Sequence, residues 1–440
     1  MSFPSPGWRA GLLLSLLPAA TILHTPLEAR SPEPVMRVLL QEAPFLEVAA
    51  AGSVPLSVSD GQGRALLRLP AGNRLRLRPG STGLEAELLP VGSTQARPRP
   101  VSLPLQEAWI DPVPASGGLL VLKDRRFRGR LQVRPAGRRL QAVNHIALES
   151  YLASVVGSEM PAAWPQAALR AQAVAARTYA LSQRKPLAPY DLKATVASQV
   201  YRGVEAETAS TRRAVASTRS QVILQGGRLI SAVFHSSSGG STENSGEIWS
   251  KQLPYLVSVP DFDDRNPTRR WEQRFDPADL RKAFPVIAGV ERIDVLETSS
   301  TGRIRRARVI GPRGMLLLRG AELRERLGLR STLVRFRFEP APQQALVSAA
   351  GPIPLPVLPA SPSRRPFSRP LPSGGGPGEA PAPPAEPLAA PSLVASGRGF
   401  GHGVGMSQWG AYGLALRGQG HEQILRHFYR GVEVRPFTPR

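Results

Sequence analysis

Leu148-Glu149-Ser150-Tyr151-Leu152-Ala153-Ser154-Val155-Val156-Gly157-Ser158-Glu159-Met160-Pro161-Ala162-Ala163-Trp164-Pro165 is the stretch where the chain changes its period. Before it, from Val35 to about Val143, short apolar runs alternate with Gly, Pro and Asp. Ala65 to Leu69, Gly118 to Leu122 and Arg130 to Val133 read as short strands joined by tight turns. From Ala147 the spacing becomes helical up to Ser158 and stops at Pro161. A second helix opens at Pro165, a favoured first-turn position for proline, and runs to about Lys185. It is rich in alanine, and Arg170, Arg177 and Arg184 recur every seventh position on one face. Alternation returns at Gln221, where Val222 to Gln225, the turn Gly226-Gly227 and Arg228 to Phe234 predict a hairpin. Further helix and strand end near Thr332 to Glu339. The pattern predicts an α+β fold, mostly β, of short strands around a helical segment.

Composition bounds the rest. A chain of 440 residues, 42% of them hydrophobic, can bury one large core or two ordinary ones. It has no cysteine, which excludes disulfides, thiolate zinc sites and cysteine nucleophiles. The net charge of +23 is mostly arginine spread along the chain, without a zinc-finger spacing, an aromatic-glycine RNA signature or a basic region feeding heptads. Nucleic acid is therefore not the expected partner; an anionic envelope is.

Arg9 precedes a short apolar run from Ala10 to Leu23, which predicts a secretory signal over residues 1–29 with cleavage after Ala29. An uncleaved membrane anchor is the other reading of that run, and both place the chain outside the cytoplasm. A β-rich region is expected at 30–129 and a catalytic domain at 130–339. Residues 340–392, dominated by Pro, Ala, Ser and Gly around Gly374-Gly375-Gly376, predict a disordered insertion. The segment 393–440 regains a globular composition and is expected to complete the catalytic domain.

Glu159 is the residue most suited to chemistry. Val155, Val156, Met160 and Trp164 flank it, and apolar surroundings raise a carboxyl pKa by penalising the ionised form. Such a group can hold a proton near neutrality and give it to a leaving oxygen. On the local residues alone, a helix-end glutamate bonded to nearby backbone amides is the favoured reading. The loop from His235, dense in Ser and Gly, offers amides and hydroxyls to a sugar, or is an ordinary turn. In the tail, glycine alternates with Arg398, Phe400, His402 and Val404, without the spacing of a dinucleotide fingerprint. His421 and His427 are six apart, whereas a zincin pair needs four.

Four blocks in order resemble the stage II sporulation protein D family. They are Leu148 to Leu181 with its Glu-Met-Pro element, Gln199 to Gly203, His235 to Glu243, and Gly399 to Ala411. The resemblance implies a lytic transglycosylase acting on peptidoglycan glycan strands, between N-acetylmuramic acid and N-acetylglucosamine, in a cleft that binds the glycan. Glu159 would then be the catalytic acid and base. The substrate-binding residues carried by the same blocks would be Arg177, Tyr201, His235, Ser236, Ser237, Gly239, Gly240, His402, Ser407 and Gln408. Some relatives bind zinc with a histidine of this loop and cysteines. This chain lacks the cysteines, so neither metal nor cofactor is expected. The family also admits a non-catalytic role as an enhancer of a cell-wall amidase, which would make that amidase a partner.

Overall fold

The computed structural model describes residues 1–2, 33–81, 83–90, 99–101, 106–113, 117–339 and 391–437. Apart from Met1 and Ser2, the expected export signal lies outside the described residues, as does all but the last two positions of the expected insertion. Among the described residues no helix is long and apolar enough to cross a membrane.

Along Asn73–Pro79, Leu75 and Leu77 are fully buried while Arg74 and Arg78 are exposed. This period of two is the pattern of a strand with one face on a core. It belongs to a six-stranded sheet in the order Arg125–Phe127, Leu120–Leu122, Leu46–Ala50, Asn73–Pro79, Leu84–Pro90 and Arg99–Val101. A seven-stranded sheet shares its core, with Val35–Ala43 and Arg139–Ala147 as antiparallel neighbours inside it. The fold is mixed α+β with several sheets, as the periodicities indicate.

Arg139–Ala147 runs without a loop into helix α1, Leu148–Glu159. The helix stops because Met160 turns extended ahead of Pro161, its N–H still bonded to the Val156 carbonyl. Helix α2, Gln166–Ser182, starts after Pro165, which is the cap rather than the first helical residue. Ala168, Ala171, Ala173, Ala175, Ala176 and Ala180 of α2 are all fully buried, so small side chains let this helix pass through the middle of the molecule. Arg177 is buried with them. Its Nε and Nη2 donate to both oxygens of Glu149 at 2.8 and 2.6 Å, locking α2 to the start of α1.

A second, separate core gathers Trp271, Phe275, Phe284, Ile304, Val309, Leu323, Val334, Leu393 and Ala395. Its three-stranded sheet runs Arg270–Phe275, Ser392–Arg398, Val334–Glu339, with Ser392–Arg398 in the middle. Glu339 and Ser392, at the two ends of the expected insertion, are direct partners across this sheet. From Gly399 onward the tail returns to the first core, where Val404, Met406, Leu414 and Phe428 are buried.

Candidate functional site

Glu159 is the last residue of α1. The helix can sit where it does because Gly157 has no side chain: a Cβ there would lie 1.9 Å from the Ala206 carbonyl oxygen. Trp164, between α1 and α2, packs on Trp409 and Tyr412 of the helix Gln408–Leu416 at 4.7 and 4.9 Å between ring centres. That contact brings the tail alongside α1. Glu159 Oε1 accepts from the Val200 N–H at 2.9 Å, and Oε2 accepts from Gln408 Nε2 at 3.2 Å. Burial raises the Glu159 pKa above its ordinary value; the two hydrogen bonds and the charge of Arg202 oppose the shift without cancelling it. The negative end of the α1 dipole works in the same direction as burial. The glutamate is thus bonded to a backbone amide, but to one 41 residues along the chain rather than to its own helix end.

Glu159 opens onto a cleft of about 490 Å³. Of the residues expected at the site, His235, Ser236, His402 and Gln408 line it with Glu159. Tyr179, Ser198, Trp249, Arg324 and Phe400 line it too, and the sequence gives no local sign of this role for the first four. Phe400 stands in the alternating glycine segment; it and Trp249 present exposed rings to the cleft. Among the described residues lining the cleft, Glu159 is the only carboxylate.

The two histidines are held neutral. His402 Nδ1 accepts from the Val404 N–H at 3.1 Å, so its Nε2 carries the proton, which it shares with the Phe234 carbonyl at 3.1 Å. Burial, then the charges of Arg324 and Arg303, bring its pKa down to about 4. His235 Nδ1 donates to the Val404 carbonyl at 3.1 Å, and burial drives its pKa well below the usual histidine range. Neither ring is a proton donor in the imidazolium form at neutral pH.

The remaining expected residues stand behind the cleft. Arg177 is in the interior with Glu149, and its Nη1 donates to the Gln221 carbonyl at 3.2 Å. Tyr201 is buried against Phe127 and Tyr151, its hydroxyl donating to Asn144 Oδ1 at 3.0 Å. Ser237 donates to Asp263, and the Gly239 N–H reaches the same carboxylate at 2.7 Å. The Gly240 carbonyl accepts from the Asp261 N–H at 2.9 Å. Ser407 caps the helix Gln408–Leu416, accepting from the Gly410 N–H at 3.1 Å. Ser237, Gly239 and Gly240 shape the loop that presents His235 and Ser236, and none of the six is among the residues that line the cleft.

That loop is tied to the second core. Arg303, fully buried, donates to the Ser238 carbonyl at 2.6 Å and lies 3.9 Å from Glu243. Gly403, at a φ of +84°, leaves room for the guanidinium; a Cβ there would come within 2.5 Å of it. Asp261, beside it, is pushed up to about 7 by burial and by the neighbouring charge of Asp263. Among the described residues no group of three or more His, Asp or Glu side chains could share a metal ion.

Residues 136–224, which hold α1, α2 and the Val200 amide, match the family model described as Stage II sporulation protein, SpoIID. The chain is 27% identical over 313 residues to Stage II sporulation protein D of Bacillus subtilis (strain 168), covering 67% of this chain and 76% of the relative. It is 28% identical over 312 residues to the protein of the same name from Bacillus amyloliquefaciens, covering 67% and 75%. It is also 28% identical over 318 residues to the Amidase enhancer of Bacillus subtilis (strain 168), covering 64% of this chain and 40% of that protein.

Proposed function

We propose that this chain, which carries a stage II sporulation protein D domain, is an extracytoplasmic enzyme that cleaves peptidoglycan glycan strands by lytic transglycosylation. The observation that supports this most is the solitary carboxylate: Glu159, half-buried, with a raised pKa, faces a cleft in which no second Asp or Glu is present among the described lining residues. A glycoside hydrolase needs a second carboxylate, as nucleophile or to activate water. A lytic enzyme does not. Protonated Glu159 gives its proton to the glycosidic oxygen between N-acetylmuramic acid and N-acetylglucosamine, and the bond to C1 breaks. The resulting carboxylate takes the proton of the muramic 6-hydroxyl as that oxygen closes onto C1. Val200 N–H and Gln408 hold the carboxyl in place through both steps. Trp249 and Phe400 supply flat apolar surface for the sugar rings.

The second reading, a non-catalytic partner of an amidase, rests on the similarity to the relative named Amidase enhancer. One variant separates the two. Glu159→Gln keeps the shape and the bond from the Val200 N–H, with the Gln408 amide turned to accept from the new NH2, but it cannot donate an acidic proton. Strand cleavage should fall by roughly 10²–10⁴-fold while binding to sacculi is retained. A folded Glu159→Gln protein that cleaves like the wild type would reject the mechanism. If the wild type cleaves nothing yet stimulates an amidase, the second reading stands.

A further inference from the structure

The sheet Arg270–Phe275, Ser392–Arg398, Val334–Glu339 turns Trp271, Val334 and Ala395 to the second core. The alternate residues of its strands make the opposite face. There Arg270 stands directly opposite Arg398, and Arg335, opposite Ser396, is diagonal to Arg398. Like charges directly across a sheet destabilise it. Elsewhere on this face the conflict is resolved: Arg274 pairs with Glu339, and Arg337 with Glu339 at 2.7 Å and Glu272 at 3.6 Å. Arg270, Arg335 and Arg398 are exposed, and have no side-chain hydrogen bond, ion pair or ring contact among the described residues.

All three line a groove of about 800 Å³. Glu272 is the one carboxylate among its described lining residues, and Ser396 Oγ at 3.0 Å and Arg337 already hold it. Because the arginines come from three neighbouring strands, their attachment points form a row about 10 Å long. A single small anion cannot neutralise such a row; a chain of repeated anions can. Arginine binds phosphate through paired N–H donors, and a tetrahedral phosphate takes donors from several directions where a planar carboxylate favours one fork. Nucleic acid fits less well, because the aromatic ring that lines the groove, Trp271, is buried and offers no face to a base. A bilayer fits less well too: none of the large apolar side chains that line the groove is exposed, so nothing would enter the lipid.

The geometry points to a binding site for a linear phosphodiester-linked polymer of the cell envelope, held by Arg270, Arg335 and Arg398 on this sheet and separate from the Glu159 cleft. The envelope as its source rests on the extracytoplasmic reading; the phosphate chemistry does not. Three like charges that cost the sheet stability when empty are neutralised together when the polymer lies across them, and the protein is held on the polymer without any use of its cleft.

The full chain is titrated with a fluorescent synthetic poly(glycerol phosphate), with polyglutamate of equal charge, with single-stranded DNA, and with vesicles of anionic phospholipid. The phosphodiester polymer is expected to bind most tightly. Replacing Arg270, Arg335 and Arg398 together by Gln should weaken that binding by at least about tenfold, since three charge-assisted contacts are lost. The slope of log affinity against log salt should become shallower by about two to three. Replacing Arg68, Arg125 and Arg213, which are exposed and do not line the groove, removes the same charge and should leave most of the affinity. The groove variant is relieved of its like-charge contacts, so without ligand it should melt at or above the wild type, and the polymer should raise the melting temperature of the wild type alone. Equal losses in the two variants would overturn the inference, because charge anywhere would then suffice. So would unchanged binding by a folded groove variant, or polyglutamate, DNA or vesicles binding as tightly as the phosphodiester polymer. No probe contains muramic acid, so a wild-type chain that cleaves no glycan leaves this result intact, and the two readings fail separately.

Discussion

Glu159 lies at the end of a helix, half-buried, with only a backbone amide and a side-chain amide for company. Its folded pKa is raised above the ordinary value of 4.5, and two consequences follow from the sign. The proposed mechanism requires the protonated acid, so it predicts a rate that declines on the alkaline side as pH rises through the raised pKa. Stability moves the same way, because the folded state holds its proton more tightly than the unfolded chain: the contribution is complete below the ordinary glutamate value and is lost as pH rises through the folded one. Glu159→Gln, which cannot ionise, should therefore melt above the wild type at pH 8, and the gap should close in acid. A gap that widened in acid would mean that the carboxylate, not the acid, is the favoured form. Arg177 makes the contrast at the same scale. It is a buried cation with one bidentate partner, and removing it strands Glu149. Arg177→Ala should lower the unfolding free energy by about 3–5 kcal/mol, read by urea denaturation. A change within experimental error would mean that Glu149 is well solvated without it.

Helices α1 and α2 explain why so much of the first core is legible in the sequence. Their boundaries depend on local chemistry, Pro161 and Pro165, and the strands before them depend on a period of two that holds over each short run. The Glu-Met-Pro element falls at the end of α1, which is where the change of period puts it. The second core is less legible, because its central strand Ser392–Arg398 joins partners from the far side of a long Pro-rich segment. No local pattern reveals which sheet that strand enters. The site shows the same division. Ser237, Gly239 and Ser407 belong to motifs, yet their polar groups satisfy Asp263 and a helix N-terminus, since motif residues build the loop as well as face the ligand. Trp249 and Arg324 line the cleft from separate segments that carry no pattern of their own. The pairing of Glu339 with Ser392 yields a prediction for the insertion. Antiparallel partners are only about 4.5–5.5 Å apart, so a linker of about four Gly and Ser residues can replace positions 341–390. Closure entropy alone predicts that shortening the connection to that length stabilises the chain by up to about 2 kcal/mol. Thermal melting should show a midpoint at or above that of the full chain; a chain that no longer folds would mean the segment contributes contacts of its own.

At the scale of the molecule, two cores meet at the loop that carries His235. One supplies Glu159, Tyr179 and Gln408; the other sends Arg303 to the Ser238 carbonyl and Arg324 into the cleft. The tail passes from one to the other at Gly399, so the cleft is completed by the last fifty or so residues of the chain. Among the described residues that line the cleft there is one acid, and the proposed mechanism makes a sharp chemical commitment. In lytic cleavage the muramic oxygen replaces the glycosidic one and no water enters the product. Digestion of purified glycan strands in water enriched in oxygen-18, followed by mass spectrometry of the fragments, reads this directly. The expected products carry anhydro-muramic ends and none of the heavy isotope; reducing ends labelled with oxygen-18 would contradict the mechanism and require a second group to activate water.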